Sequence, residues 1–348
     1  MFVLVFTLNN IMMNQQRSSF SPGVLEGKVV VITGASSGVG YATALAFARH
    51  KTRLVLASRR EQAMQEVVQQ CQEAGSEAIA VTTDVTKEED IKQLAAKAVE
   101  FGGRIDVWVN NAGVLAAGDF SETPMEVHEQ VIRINLLGYL YGAHAVLPFF
   151  KQQGSGVLIN NISVGGWFPT PYMVAYSASK FAVRGFSESL RGELAKWPGI
   201  YVCEVYPGFL DTPGIQHAGN YSGSVLRPAP PIYDPQKVAR AMVSLAMFPK
   251  HRMTVGGAAS LLRLIHFLVP GLSSKVTARV IEAYLKKAES TDVTSGNLFQ
   301  PVKFGSSIHG GWNKPTGPGN KGNKRVKTAL VIGSVFAGLL IFAQAKRR

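Results

Sequence analysis

Apolar and polar positions settle into a repeating order from Lys28 onward. Short apolar runs, KVVVIT, RLVLAS, EAIAVTTD, RIDVWVN, GVLINNIS and IYVCEVYP, alternate with longer segments of helical period such as YATALAFARH and KEEDIKQLAAKAVEFG. The runs have the length and near-continuous hydrophobicity of strands buried on both faces, and the longer segments have the period of helices with one face turned inward. Strands and helices taking turns predict an α/β fold, a doubly wound parallel sheet forming a single domain over residues 26–292.

The pattern breaks at both ends. Residues 1–25 read as an extension: the opening MFVLVFTL is too short to span a bilayer and lacks the positive flank and cleavage site of a signal peptide, and Met12 or Met13 is an alternative start. Residues 293–327 are rich in Gly, Asn, Pro and Lys without helical period, which predicts a flexible basic linker. Residues 328–345 include sixteen uncharged positions, Thr328 to Ala343, between basic clusters. That is a short span whose flanking Lys and Arg can snorkel, and it predicts a single transmembrane helix tethering a domain that faces the cytoplasm. A second apolar stretch, LLRLIHFLVPGL at 261–272, is interrupted by Arg263 and Pro270 and reads as a substrate lid or a membrane-facing helix.

Composition narrows the function classes. With 46% hydrophobic residues in 348, wholesale disorder is excluded. The net charge of +13 would suggest a nucleic-acid partner, but no Asp or Glu follows Asp292 while nine Lys or Arg do. Residues 26–292 carry only about +3, with no aromatic-interleaved basic patch, so no nucleic acid is expected. Cys71 and Cys203 stand far apart and no ligand spacing occurs among the histidines, so neither a disulfide framework nor a metal site is expected.

The first crossover carries chemistry. KVVVIT runs through Thr33 into Gly34-Ala-Ser36-Ser37-Gly38-Val39-Gly40 and then a helix, and three glycines there let the backbone approach a pyrophosphate over a helix N-terminus. The second strand ends in Ser58, Arg59 and Arg60, where an NAD site places an acid on the ribose. A guanidinium fork matches a 2′-phosphate, so NADP(H) is expected over NAD(H). Further on, AYSASKFAVRG places Tyr176 one helical turn before Lys180, so that an ammonium beside the phenol lowers its pKa.

Together with Asp84, NNAG at Asn110 to Gly113, Asn135 in INLLG, Ser163 thirteen residues before Tyr176, and Pro207-Gly208 followed by Thr212, these motifs resemble the classical short-chain dehydrogenase/reductase family over residues 26–256. The resemblance implies a Rossmann-type fold and hydride transfer between a nicotinamide and an alcohol or ketone. Tyr176 is then the proton donor or acceptor at the substrate oxygen, Lys180 its pKa tuner and a ribose ligand, and Ser163 a hydrogen-bond donor that positions rather than attacks. By the same resemblance Asn135 props a water that relays protons to Lys180. Asn111, Ala112 and Gly113 let the backbone pass close to the adenosine, Asp84 and Val85 contact the adenine, and Pro207, Gly208 and Thr212 fix the carboxamide.

Residues 209–234, rich in Gly and Pro, correspond to a substrate-covering loop. Leu115 with Gly165-Gly166-Trp167-Phe168-Pro169 would line an apolar pocket suited to a hydrophobic carbonyl or alcohol. Homo-oligomerisation stays open. A catalytically idle dinucleotide sensor or scaffold is the alternative, and an extended-branch epimerase is disfavoured by the spacing of the first turn.

Overall fold

The computed structural model describes residues 24–313. In chain order the elements are β1 (Val29–Thr33), α1 (Gly38–Ala48), β2 (Arg53–Ser58), α2 (Glu61–Glu73), β3 (Glu77–Thr82), α3 (Glu88–Gly102), β4 (Val107–Asn110), β5 (Ala116–Ala117) and α4 (Met125–Ile132). They continue with α5 (Gly138–Gln153), β6 (Gly156–Asn161), α6 (Val174–Glu193), β7 (Ile200–Pro207), β8 (Gly219–Asn220), α7 (Gln236–Met247), β9 (Arg252–Val255), α8 (Gly257–Leu268) and α9 (Pro270–Leu285). Seven strands form one parallel sheet in the order β3-β2-β1-β4-β6-β7-β9, and β5 pairs with β8 apart from it. The fold is thus the single α/β Rossmann-like domain expected from the alternation.

Strand side chains serve both layers. Val30 and Ile32 of β1 pack with Leu54, Leu56, Val107 and Val109 beneath Phe47 of α1 and Met242 of α7. Val29 and Val31 point the other way, joining Val55, Trp108 and Leu158 against Leu94 of α3 and Phe150 of α5. A strand buried on both faces cannot alternate apolar and polar, which is why VVVIT is uniformly buried. The order of connections reverses between β1 and β4, and the crevice at the carboxyl ends of those strands is where such sheets bind ligands.

Three features depart from the expected pattern. The long helical stretch around Asn135 is divided by one π turn, Arg133–Leu137, between α4 and α5; such turns insert an extra residue and gather at functional sites. The apolar stretch at 261–272 is a helix pair broken at Val269 and Pro270, not one helix. The third departure is the linker. Its described part, residues 293–313, is docked on the domain, with Leu298 fully buried and Thr294 bridged to Asn220. The stretch lacks periodicity because a few isolated apolar side chains, Leu298, Phe304 and Ile308, and a row of backbone carbonyls hold it. Among the described residues no helix is long and apolar enough to cross a membrane, and the helix expected at 328–345 lies outside the described residues, as do residues 1–23.

One buried ion pair locks α6 to β7. Glu204 is fully buried and its carboxylate lies 3.3 Å from Arg191, which also donates to the Val202 carbonyl. Burial pushes the Glu204 carboxyl up, and Arg191 opposes that rise. Breaking such a pair leaves an uncompensated charge. Arg191→Leu is expected to lower unfolding free energy by roughly 3 kcal/mol in chemical denaturation, and adding Glu204→Gln should recover part of the loss.

Candidate active site

The site begins where β1 and β4 end. Thr33 Oγ1 donates to the Val109 carbonyl at 3.3 Å and accepts from the amides of Asn111 and Ala112 at 3.0 and 3.2 Å. Asn111 returns its side-chain amide to the carbonyls of Thr33 and Gly34. Gly34 has φ +68, and a Cβ there would lie 2.7 Å from Ala112 Cα. A Cβ on Gly40 would meet the Gly34 carbonyl at 2.1 Å. The turn can therefore fold flat against the neighbouring loop only with hydrogen at those positions. Helix α1 starts at Gly38 with no acidic side chain in its first turn to oppose an anion at the positive end of its dipole, and the Gly38 amide itself donates to the Ser307 carbonyl at 3.0 Å.

At the adjacent strand end, Ser58 Oγ accepts from the Arg60 amide, while the Arg60 guanidinium turns back to Ser36, donating to its hydroxyl and carbonyl at 3.3 and 3.2 Å. Arg60 is therefore held against the glycine-rich turn. Arg59 donates to the carbonyls of Asn297, Leu298 and Phe299 at 2.5, 3.4 and 3.3 Å. Burial lowers the pKa of both arginines, and Asp84 partly offsets this for Arg59. One Asp84 oxygen is held by the Thr86 amide and hydroxyl.

The other end of the site is assembled from three elements. Tyr176 and Lys180 stand one turn apart on α6. Ser163 follows β6 with φ 134, a strained conformation for a residue with a Cβ, and its Oγ accepts from the Gly165 amide at 3.1 Å. That bond leaves the Ser163 hydroxyl hydrogen free to donate. Lys180 Nζ donates to the Asn161 carbonyl at 3.2 Å, and Asn161 in turn donates to Asn111, which ties this end to the first loop. Asn135 is fully buried, with its amide exchanging two bonds with the Val114 backbone at 2.8 and 2.9 Å and donating to Ser179.

Burial dominates the titration of this end. It pushes the Tyr176 phenol up, a rise that a hydrogen bond from Ser163 opposes. It brings the Lys180 ammonium down to about 7. The lowered phenol expected from a neighbouring ammonium is therefore not supplied by the protein groups, because both partners are buried and desolvation acts on each.

One cavity of about 630 Å³ joins the two ends. Gly34, Ser36, Ser37, Gly38, Val39, Ser58, Arg59, Asp84, Val85, Asn111, Ala112 and Gly113 line it, together with Ser163, Tyr176, Lys180, Pro207, Gly208 and Thr212. Gly40, Asn110 and Asn135 stand behind the wall. Asn110 belongs to a buried ladder with Trp108 and Asn160, and Asn135 approaches Lys180 only across Gly113, where a Cβ would lie 3.4 Å from Asn135 Oδ1 and 3.7 Å from Lys180 Nζ. Beyond Tyr176 the lining turns apolar, with Leu115, Phe168, Met173, Leu226, Leu261 and Ile265. Trp167, expected there, lies elsewhere, its ring between the guanidinium groups of Arg184 and Arg263 at 3.4 and 3.9 Å. Sequence reasoning missed Thr33, Asn161 and the segment from 294 onward. Thr33 and Asn161 flank motifs it did use, whereas Leu298 carries no periodic signal. Among the described residues no cluster of His, Cys, Asp or Glu could hold a metal ion.

A family model for short chain dehydrogenases matches residues 28–220. An uncharacterized oxidoreductase of Bacillus subtilis, YxnA, is 34% identical over 335 residues, 93% of this chain and 92% of that protein. An 11-beta-hydroxysteroid dehydrogenase A of Sesamum indicum is 37% identical over 188 residues, 53% of each chain. Among solved structures, an alcohol dehydrogenase of the archaeon Thermococcus sibiricus complexed with 5-hydroxy-NADP superposes with a TM-score of 0.57 at 29% identity, covering 66% of this chain and 95% of its own. A variant actinorhodin polyketide ketoreductase with NADPH gives a TM-score of 0.60 at 30% identity, covering 67% and 97%. With residues 28–220 matched by that model and 93% of its length by a relative at 34% identity, the chain belongs to the short-chain dehydrogenase/reductase family and is an oxidoreductase.

Proposed function

We propose that the protein is an NADP(H)-dependent oxidoreductase acting on a hydrophobic alcohol or ketone, with Ser163, Tyr176 and Lys180 as its catalytic residues and Asn135 as a positioning residue. The observation that carries the reading is the sharing of one cavity by Ser163, Tyr176 and Lys180 at one end and by Gly34, Gly38 and Arg59 at the other. The residues fit a nicotinamide dinucleotide. Close backbone approach at Gly34 and the positive end of α1, which carries no acidic side chain in its first turn, suit a pyrophosphate, and Ser58, Arg59 and Arg60 offer a 2′-phosphate positive charge where a ribose-binding acid would repel it. The cofactor, when bound, supplies or accepts the hydride.

The chain's own groups handle the proton. Tyr176 Oη gives a proton to the alkoxide oxygen in reduction and takes it back in oxidation. Ser163, with its Oγ fixed by Gly165, donates a hydrogen bond to the same oxygen and holds it in line. Lys180, poised near neutrality, replenishes the phenol. Asn135 fixes the Val114 backbone and Ser179 beside that lysine, in the place where a relay water is expected by family resemblance. The apolar side chains beyond Tyr176 support a substrate with a hydrophobic body, and Arg227 is the one charged side chain beside them on the lining.

Three outcomes test this reading. Tyr176→Phe keeps the ring and is expected to reduce ketone turnover at least about 100-fold while equilibrium NADPH binding survives. A wild-type chain that binds NADPH but turns over no member of a panel of apolar ketones and alcohols would instead favour an idle dinucleotide sensor. Arg59→Asp should lower kcat/KM for NADPH about tenfold or more relative to NADH, because a carboxylate then faces the 2′-phosphate; an unchanged ratio would overturn the cofactor preference. Lys180 makes the site pH-sensitive in stability. Its folded pKa of about 7 lies below the ordinary 10.5, so the native state bears the full penalty of a buried ammonium below pH 7 and sheds it as pH rises toward 10.5. Lys180→Met should therefore stabilise the protein more at pH 6 than at pH 9, by a difference on the order of 2 kcal/mol in thermal or chemical denaturation.

A further inference from the structure

We infer that the segment Thr294–Trp312 is the roof of the cofactor cleft, a strap that must lift for the dinucleotide to enter or leave. This rests on the assignment of the cleft to NADP(H) made above. The strap starts and ends on the substrate-side loop. At its start Thr294 exchanges two backbone bonds with Asn220 at 2.7 and 3.0 Å, and Asn297 donates to the His217 carbonyl at 2.9 Å. At its end the Gly310 and Trp312 amides donate to the Asp211 carbonyl and carboxylate at 3.2 and 2.8 Å, and the Trp312 indole donates to the Thr212 carbonyl at 3.0 Å.

Between these ties the strap crosses to the far side of the cleft. Arg59 grips three successive carbonyls, Arg60 donates to the Phe304 carbonyl at 3.0 Å, and the Gly38 amide at the start of α1 donates to the Ser307 carbonyl at 3.0 Å. The chain therefore leaves the Asn220 side, reaches the end of β2, and returns over the glycine-rich turn to Asp211. Asn297, Pro301 and Val302 face the same cavity as Gly34 and Arg59, and that cavity persists beneath them. The strap covers the cleft and does not fill it.

The hydrogen bonds of Arg59 fit a latch better than a competitor. Its three contacts are made by Nη1 and Nη2. Nε–H takes part in none of them and is a donor on the side-on edge with which a guanidinium grips a phosphate. The same side chain can hold strap and 2′-phosphate together. Opening is within reach of local fluctuation: the contacts are mostly single hydrogen bonds near the surface, Phe299 and Phe304 are exposed, Ile308 is only partly buried, and Leu298 alone is fully buried, among Val114, Ala116 and Ile134.

The test is the rate of NADPH binding and release by the full chain, read from nicotinamide fluorescence in a stopped-flow instrument. For the wild type, the observed association rate should level off at high NADPH, at the rate of strap opening. Leu298→Ala shortens the buried anchor, a side chain that is not on the cavity lining but packs with Val114, Ala116 and Ile134 behind it, and Trp312→Ala loosens the other end. Each should raise the plateau rate and the dissociation rate together, by about tenfold for Leu298→Ala, with Kd changed by less than about threefold. Hydrogen exchange supplies a second readout. The amides of Asn297, Gly310 and Trp312 should exchange faster in both variants and slower in the wild type with NADPH, while those of β1 stay unchanged. A linear concentration dependence near 10⁶ M⁻¹s⁻¹, with rates unaltered in Trp312→Ala, would overturn the roof. So would a tenfold tighter Kd in either variant with unchanged dissociation, which marks a strap that competes with the cofactor. A wild-type chain that binds no NADPH at equilibrium fails the cofactor reading first, and the roof with it.

Discussion

Everything in the site depends on how closely the loop after β1 lies against the loop after β4. The sheet splits its connections there, and without intervention the two loops would diverge around side chains. Gly34 and Gly40 remove the atoms that would hold them apart, and Thr33 and Asn111 fill the resulting contact with five reciprocal hydrogen bonds. The floor is consequently built from backbone, which can come near an anion, and its position is fixed by the two central strands. Asn161 extends the same arrangement to the other end through Asn111 and Lys180, so the two halves of the cavity share one hydrogen-bonded frame.

That frame carries an electrostatic strain. Tyr176 and Lys180 are buried side by side, and desolvation drives their pKa values apart, the phenol upward and the ammonium downward. The neutral pair is favoured by burial alone, which is an unusual resting state for a lysine and a useful one for passing a proton. The backbone strain at Ser163 belongs with it: the φ of 134 aims the hydroxyl into the cavity while the Gly165 amide occupies one of its lone pairs. Both strains are held by the packing of α6 against the π turn and β6.

The two ends of the cavity are also linked through the chain's last described residues. The strap is tied on one side to the loop that carries Asp211, Thr212 and Asn220, and on the other to the arginines after β2. The helix pair α8–α9 closes the apolar end of the same cavity with Leu261, Leu262 and Ile265. Access to both ends is therefore governed by segments outside the seven-stranded sheet, laid over a floor that the sheet makes rigid.

The layers, the strand order's crevice and most cavity-lining residues were legible in the sequence, because they depend on local rules. Continuous apolar runs mark strands buried on both faces, the three glycines of the first turn mark a backbone that must come close, and Tyr176 four residues before Lys180 on a helix must share its face. What tertiary structure decided are matters of contact at a distance. Trp167 follows Ser163 in sequence, yet three arginines from α6, β9 and α8 draw its ring away from the cavity. Asn135 reads as a site residue, yet the π turn and the Val114 backbone keep it behind the wall. The segment after Asp292 has the composition of a linker, and its composition is no guide, since it is held through backbone carbonyls that every residue possesses. Which donors those carbonyls meet depends on where Arg59, Arg60 and Gly38 stand, some 240 to 270 residues earlier in the chain, and only the folded sheet brings them within reach.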